Sequence, residues 1–167
     1  GMLASLYVVE LSLGLLTSNP VQAEPQDWDR RTRLSVYQDM KRDGIDATVL
    51  VSSSNFIGSL GLHKKGSESL FPLGNSISKK TVVHCNENGE YSFFQSDRYG
   101  FNNPDTVWET PEPEWLLTGD SFANGACVQP GEDLRAQLGA LTGETVITLG
   151  GSGNGPLREL ASLIEYA

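Results

Sequence analysis

The segment 115–125 is the part of the sequence whose residue types and spacing could do chemistry. An apolar strand end runs into Gly119, Asp120 and Ser121, and then into small residues that can begin a helix. Such a turn can lift the Ser121 hydroxyl out of the chain and place its own N–H at a helix N-terminus, where an oxyanion is stabilised. Ser121 is therefore the candidate nucleophile. It would need a general base, which the adjacent Asp120 normally cannot supply. Both residues are also common in ordinary turns and helix caps, and that interpretation stays open.

A second glycine-rich turn, 150–155, follows the predicted strand 145–149. Its backbone N–H groups, that of Gly153 above all, can face Ser121 from the neighbouring strand, and two such donors make an oxyanion hole. Two alternatives stay open. The turn is either purely structural or a dinucleotide-binding turn, although its third glycine comes one residue early for that motif.

The elements that position these turns alternate along 111–167. The pattern predicts a strand at 115–117, a helix at 132–141, a strand at 145–149 and a helix from Pro156 with Leu157, Leu160, Ala161 and Ile164 on one face. This order predicts a parallel α/β sheet with right-handed crossovers. Sites in such sheets lie beyond the carboxyl ends of the strands, where both turns fall.

The region 24–110 is predicted to be an extension built from a helix and a β-hairpin. The helix covers 29–43, with Leu34, Tyr37 and Met40 on one face and Gly44 after it. A strand at 45–51, a loop with at most short strands at 52–78, hairpin strands at 80–85 and 91–95, and an ordered loop at 96–105 follow. The hairpin aromatics are expected in the core, with a glycan- or partner-binding surface as the alternative. They are Tyr91, Phe93, Phe94, Tyr99 and Phe101.

Residues 1–23 are predicted to form a signal or anchor segment. Gly1 before Met2 is typical of an expression remnant, 3–16 is mostly apolar, and 21–23 has the small-residue form of a signal-peptidase site. We therefore expect export, or a membrane tether through 3–16. An ordinary buried segment is the alternative, because Glu10 interrupts the apolar run.

The net charge and the cysteine count argue against a nucleic-acid-binding protein and against a disulfide-rich scaffold. The net charge is −9, and residues 90–167 carry twelve acidic and three basic side chains, so nucleic acid is not an expected partner. The basic cluster of Arg30, Arg31, Arg33, Lys41 and Arg42 is typical of a solvated helix face. Two cysteines, Cys85 and Cys127, are too few for a disulfide scaffold, and we expect neither a metal nor a cofactor. Two separate thiols are favoured, and pairing stays open for an exported chain.

Three motifs together resemble the SGNH (GDSL-type) hydrolase family. Gly119-Asp120-Ser121-Phe122, with Gly125 and Val128, is similar to its first block, and 145–153 is similar to its second. Residues 96–103 resemble a lead-in found in bacterial envelope members with an apolar N-terminus. The resemblance covers 97–167, less than half of the chain.

This resemblance implies a partial flavodoxin-like parallel sheet and serine acyl-enzyme chemistry. It makes Ser121 the nucleophile and the N–H groups of Ser121 and Gly153 the oxyanion donors. The implied substrate is a small-molecule or glycan ester, an acylated carbohydrate or lipid at the bacterial envelope, and the alternatives are O-acyl transfer and a non-catalytic binding module.

The family's asparagine block and its Asp-x-x-His block would follow Ala167. His63 and His84, the two histidines of the sequence, precede Ser121, against the family's order. We therefore expect a truncated part of a longer hydrolase, with little turnover and with self-association through uncovered edges.

Overall fold

A computed structural model describes residues 27–51, 63–65, 68–70 and 74–167 of the chain. The predictions for the N-terminal segment 1–23 lie outside these residues. In the described ranges the chain is a mixed α/β protein with four α-helices, one 3₁₀ helix and three small sheets. The helices are α1 (Arg33–Arg42), α2 (Ser121–Asn124), α3 (Leu134–Thr142) and α4 (Pro156–Tyr166), and Asp105–Glu109 is the 3₁₀ helix. The strands are β1 (Ala47–Val49), β2 (His63–Lys65), β3 (Glu68–Leu70), β4 (Thr81–Val83), β5 (Phe93–Gln95), β6 (Trp115–Leu117) and β7 (Val146–Thr148).

Helix α1 begins later than the predicted 29–43. The Thr32 hydroxyl caps the helix by accepting a hydrogen bond from Ser35 N at 3.1 Å. Asp29 lies outside it, with its N–H donating to the carbonyl of Gly89 at 2.7 Å. Of the predicted apolar face, Tyr37 and Met40 are half-buried but Leu34 is exposed, and Val36 is the buried side chain of α1.

The first sheet has the order β1-β4-β5. Strand β1 is parallel to β4, with Ala47 opposite Thr81, and β4 is antiparallel to β5, with Thr81 opposite Gln95. The predicted hairpin is therefore confirmed. The β-branched residues of β4 supply its core, since Val82 and Val83 are fully buried.

Part of the predicted loop 52–78 contains strand structure. Strands β2 and β3 pair antiparallel, with His63 opposite Leu70. His63 lies in one of these three-residue strands, which fits the prediction of a loop with at most short strands. Among the described residues no helix is long and apolar enough to span a bilayer.

Strands β6 and β7 form a two-stranded parallel sheet, as predicted. Trp115 lies opposite Val146 and Leu117 opposite Thr148, with α3 in the connection between the strands. A small core of Phe101, Ile147 and Leu149 lies against this sheet.

Helix α4 packs on that core through a different face from the predicted one. Leu163 and Tyr166 contact the core, whereas Leu157, Leu160 and Ile164 are exposed. The Tyr166 ring makes aromatic contacts with Tyr99, Phe101 and Trp108. These ring contacts place the Tyr166 side of α4 against the core, because aromatic side chains bury large apolar areas.

The loop 96–103 connects the β1-β4-β5 sheet with the β6–β7 sheet around the buried carboxylate of Asp97. This carboxylate accepts hydrogen bonds from four donors at 2.8–2.9 Å. They are Tyr99 N, Phe101 N, Asn103 Nδ2 and Trp108 Nε1. Asn103 also donates to Thr148 O at 2.9 Å and accepts from Thr148 N at 2.8 Å, so its carboxamide pairs with β7 as a neighbouring strand would.

Cys85 and Cys127 form a disulfide, with an S–S distance of 2.01 Å. The expectation of two separate thiols is therefore wrong. The number of cysteines could not predict this disulfide, because the pairing depends on the fold bringing the segment after β4 to the segment after α2. This bond ties the first sheet to the segment that carries Ser121.

Candidate functional site

Ser121 is the first residue of α2, and its hydroxyl makes no hydrogen bond within the described part of the chain. Asp120 is the N-cap, and its carboxylate accepts from Phe122 N at 3.1 Å. The capping interpretation therefore holds for Asp120 and not for Ser121. Since Asp120 already satisfies a free helix donor, the half-buried Ser121 hydroxyl is left available to react.

Helix α2 has only four residues, so its position depends on side chains from outside it. Thr148 Oγ1 donates to the carbonyl of Ala123 at 2.7 Å, and Asn102 Nδ2 donates to the carbonyl of Asn124 at 2.9 Å. Gly125 ends the helix in the left-handed region, at φ 75°. Two side chains from β7 and the 96–103 loop therefore fix the end of the helix that begins with Ser121.

The two glycine-rich turns touch each other beyond the ends of β6 and β7. Gly151 N donates to the carbonyl of Gly119 at 3.0 Å, and Asn154 Nδ2 lies 3.4 Å from the same oxygen. Gly150 packs on α2 so closely that a Cβ there would lie 2.5 Å from Ala123 C and from Asn124 N. The predicted meeting of the two turns at one sheet edge is therefore observed.

Gly153 is exposed and adopts a left-handed conformation at φ 80°. Its neighbour Ser152 lines a pocket of about 320 Å³ together with Ser121. The second turn thus reaches the candidate nucleophile's pocket through Ser152, and an oxyanion role for the Gly153 N–H stays a prediction.

This pocket, which we call the polar pocket, brings together residues from both halves of the sequence. Its lining is Arg33, Leu50, His84, Cys85, Glu87, Ser121, Ala126, Cys127 and Ser152. No sequence pattern indicated Arg33 or His84 at this place, because Arg33 belongs to α1 and His84 follows β4, both far along the chain from Ser121. Arg33 was predicted only to be part of a solvated helix face.

His84 lies in the wall of the polar pocket and is 1% exposed. Its ring packs edge-on against Phe94, and its buried Nε2 has no hydrogen-bond partner among the described residues. Burial, and secondarily the positive charge of Arg33, lowers the pKa of His84 from 6.5 to about 4. The side chain is therefore neutral at pH 7, and no hydrogen bond within the described residues joins it to Ser121.

Buried asparagine side chains surround the second turn. Asn75 Nδ2 donates to Gly150 O at 3.2 Å, whereas Asn75 Oδ1, Asn124 Nδ2 and Asn154 Oδ1 have no partner within the described residues. A Cβ on Gly151 would lie 2.6 Å from the side chains of Asn75 and Asn154. The amides therefore fill the space that the glycine leaves, and sequence spacing did not indicate Asn75.

The hairpin aromatics belong mainly to the core. Phe94 and Phe101 are buried, and the Tyr99 ring packs against Trp108 and Tyr166. Tyr91 and Phe93 are half-buried and Tyr99 is 46% exposed, so a binding role for these three rings stays the alternative. In the described ranges, no group of three or more His, Cys, Asp or Glu side chains could hold a metal ion.

Comparison of the chain with protein-family models, curated proteins and solved structures finds no match. The functional conclusion therefore rests on the residues and geometry of the site.

Proposed function

We propose that Ser121 is the nucleophile of an SGNH-type serine ester hydrolase acting on an acylated carbohydrate or lipid. The main support is the Ser121 hydroxyl at the start of α2, which has no hydrogen-bond partner among the described residues and lines a pocket that the second turn also lines. In an ordinary capping turn the serine hydroxyl would instead bond to the helix backbone.

In the proposed reaction, Ser121 Oγ attacks the ester carbonyl. The N–H groups of Ser121 and Gly153 stabilise the oxyanion, and the hydroxyl proton passes to a general base. The residues that hydrogen-bond α2 position the nucleophile without touching the substrate. They are Asp120, Asn102 and Thr148. O-acyl transfer would use the same acyl-serine step with an alcohol in place of water.

The same proposal includes a more specific fold, a flavodoxin-like sheet. Strands β6 and β7 would be the first two strands of a flavodoxin-like sheet, supported by their parallel pairing and the helix between them. The region 24–110 would then be an extension that the disulfide fastens to this sheet.

Location at the cell envelope is also proposed. The Cys85–Cys127 disulfide supports it, because such bonds persist mainly in exported proteins and oxidising compartments. The apolar run 3–16 would supply the signal or tether.

A covalent serine probe tests the role of Ser121. Because no histidine is hydrogen-bonded to Ser121 in the described residues, we expect excess fluorophosphonate to react over hours rather than minutes. It should leave one adduct on Ser121, located by peptide mass spectrometry and absent from Ser121→Ala. Ser152→Ala is the matched control, because Ser152 lines the same pocket and its loss should leave the adduct intact. Labelling of Ser152 instead, or equal labelling of the Ser121→Ala protein, would contradict the proposal.

Turnover is a separate measurement. Because no histidine is hydrogen-bonded to Ser121 in the described residues, we expect slow hydrolysis of p-nitrophenyl acetate that differs little between the chain and Ser121→Ala. Fast hydrolysis that depends on Ser121 would show that a base reaches it.

A further inference from the structure

Ser121 also lines a second pocket, which we call the apolar pocket. It measures about 360 Å³. Its lining is Glu87, Ser121, Phe122, Gly125, Ala126, Val128, Glu132, Asp133 and Leu134. The volume falls within the range of sites that hold small ligands.

Three large apolar side chains of this pocket face solvent. Phe122 is 79% exposed, Val128 36% and Leu134 54%. Single exposed apolar residues are ordinary, but three that converge on one pocket are typical of a surface that binds an apolar group. Phe122 directly follows the candidate nucleophile, so that group would lie beside the reacting atom.

The charges of the apolar pocket restrict its ligand further. Its charged lining residues are Glu87, Glu132 and Asp133, and of the described side chains that line it none is basic. Asp133 lies 3.5 Å from Arg135, which does not line this pocket, whereas Glu87 and Glu132 make no ion pair within the described residues. A carboxylate or phosphate would therefore meet the like charge of Glu87 and Glu132. The group that fits is therefore apolar and uncharged.

The polar pocket has a different chemistry. It contains Arg33 and Ser152, and it shares only Ser121, Ala126 and Glu87 with the apolar pocket. Ser121 thus lies where the two pockets adjoin. An ester also has two sides of different character, since its acyl chain and its alcohol extend in different directions from the carbonyl carbon.

We propose that the apolar pocket takes an uncharged aliphatic acyl chain longer than acetyl, and that the polar pocket takes the hydroxyl-bearing alcohol. This assignment rests on the function proposed for Ser121. In the reaction Ser121 Oγ bonds to the acyl carbon, the ester C–O bond breaks, and the alcohol leaves with the proton that the serine loses. Water then cleaves the acyl-serine, which releases the carboxylic acid and restores the hydroxyl.

Binding of small amides tests the pocket without requiring turnover. The ¹⁵N-labelled full chain is titrated with hexanamide, acetamide and hexanoate, with backbone amide shifts as the readout. We expect hexanamide to bind at least tenfold more tightly than acetamide, because each buried methylene adds to affinity. Hexanoate should bind more weakly than hexanamide, and the shifts should centre on Phe122, Val128 and Leu134.

Two exposed positions supply matched variants. Phe122→Ala should weaken hexanamide binding about tenfold and leave acetamide binding unchanged. Leu157→Ala removes another exposed apolar side chain, which is 84% exposed, lies on α4 and does not line the pocket, and should change neither. Equal affinities for the two amides, or hexanamide shifts centred on α4, would overturn the acyl assignment.

The Ser121→Ala protein separates this inference from the proposed function. Its apolar pocket is intact, so hexanamide should bind it as tightly as the unmodified chain. If the unmodified chain binds hexanamide but Ser121 is not labelled by fluorophosphonate, the enzymatic role is contradicted and the apolar binding pocket is retained. Labelling without chain-length preference would keep the nucleophile and overturn the acyl site.

Discussion

The two glycine-rich turns meet at one sheet edge, yet they are stabilised in opposite ways. The first turn leads into four helical residues, exposes Phe122, and is held from behind by Thr148 and Asn102. The second turn buries its leading glycines, Gly150 and Gly151, against other chain segments. A reactive hydroxyl must stay accessible, so the interactions that fix it come from the elements behind it. The second turn can instead serve as a packed support.

The largest expected effect comes from the disulfide, which ties the first turn to the first sheet. Replacing Cys85 and Cys127 together by serine should lower the free energy of unfolding by about 4 kcal/mol, since the bond closes a loop of some forty residues. Urea denaturation measures the change. Reduction of the unmodified chain should reproduce it, and an unchanged midpoint after confirmed reduction would contradict the anchoring role.

The next effect is a pH dependence that originates in the wall of the polar pocket. Because the pKa of His84 is lowered from 6.5 to about 4, the unfolded chain binds one more proton than the folded chain between these values. Stability should therefore be full above pH 6.5 and fall by about 3 kcal/mol on acidification to pH 4. The measurement is denaturant unfolding at several pH values.

His84→Gln removes this titration. Between pH 4 and 6.5 the unfolding free energy should then change less steeply with pH, by the equivalent of about one bound proton, whatever the effect of the substitution on stability at pH 7. An identical slope in the two proteins would mean that another group is responsible.

A substitution in the second turn tests its role as a packed support. Gly150→Ala would place a methyl group against the backbone of Ala123 and Asn124, and should cost about 2 kcal/mol of unfolding free energy. Gly155→Ala is the matched control, because a Cβ there meets nothing within 4 Å. Similar unfolding midpoints for the two variants would show that the turns do not pack as closely as described.

The smallest effect concerns Asn102, whose side chain hydrogen-bonds the last residue of α2. Asn102→Ala removes one hydrogen bond to Asn124 O and should cost about 1 kcal/mol. It should also slow fluorophosphonate labelling of Ser121, whereas Asn88→Ala, an exposed change in the hairpin turn, should not. Unaltered labelling of the Asn102→Ala protein would show that this hydrogen bond does not position the Ser121 hydroxyl.

Local patterns account for the parts of the fold that the sequence predicted. The parallel pairing of β6 with β7 followed from alternating strand and helix segments, and the β4–β5 hairpin from two β-branched or aromatic runs around Asn88 and Gly89. Asp120 and Ser121 were recognised as a turn by their types and order. In each case the signal lies within a few neighbouring residues.

The features that were missed depend on contacts between distant segments. Periodicity identified a leucine face on α4, but the aromatic contacts of Tyr166 decide which face is buried. Similarly, Arg33 and His84 reach the pocket of Ser121 only because the sheets are joined by the 96–103 loop and the disulfide. No spacing rule connects residues that far apart.

The covalent link between residues 85 and 127 also imposes an order on biosynthesis. The hairpin leaves the ribosome first and must stay accessible until the segment after α2 has been translated, because only then can the two sulfurs meet. Protein made in a reducing cytosol would keep both thiols, and it would gain the bond only after transfer to an oxidising environment. The proposed reaction site is therefore a late product of maturation, completed when oxidation locks the early part of the chain to the later one.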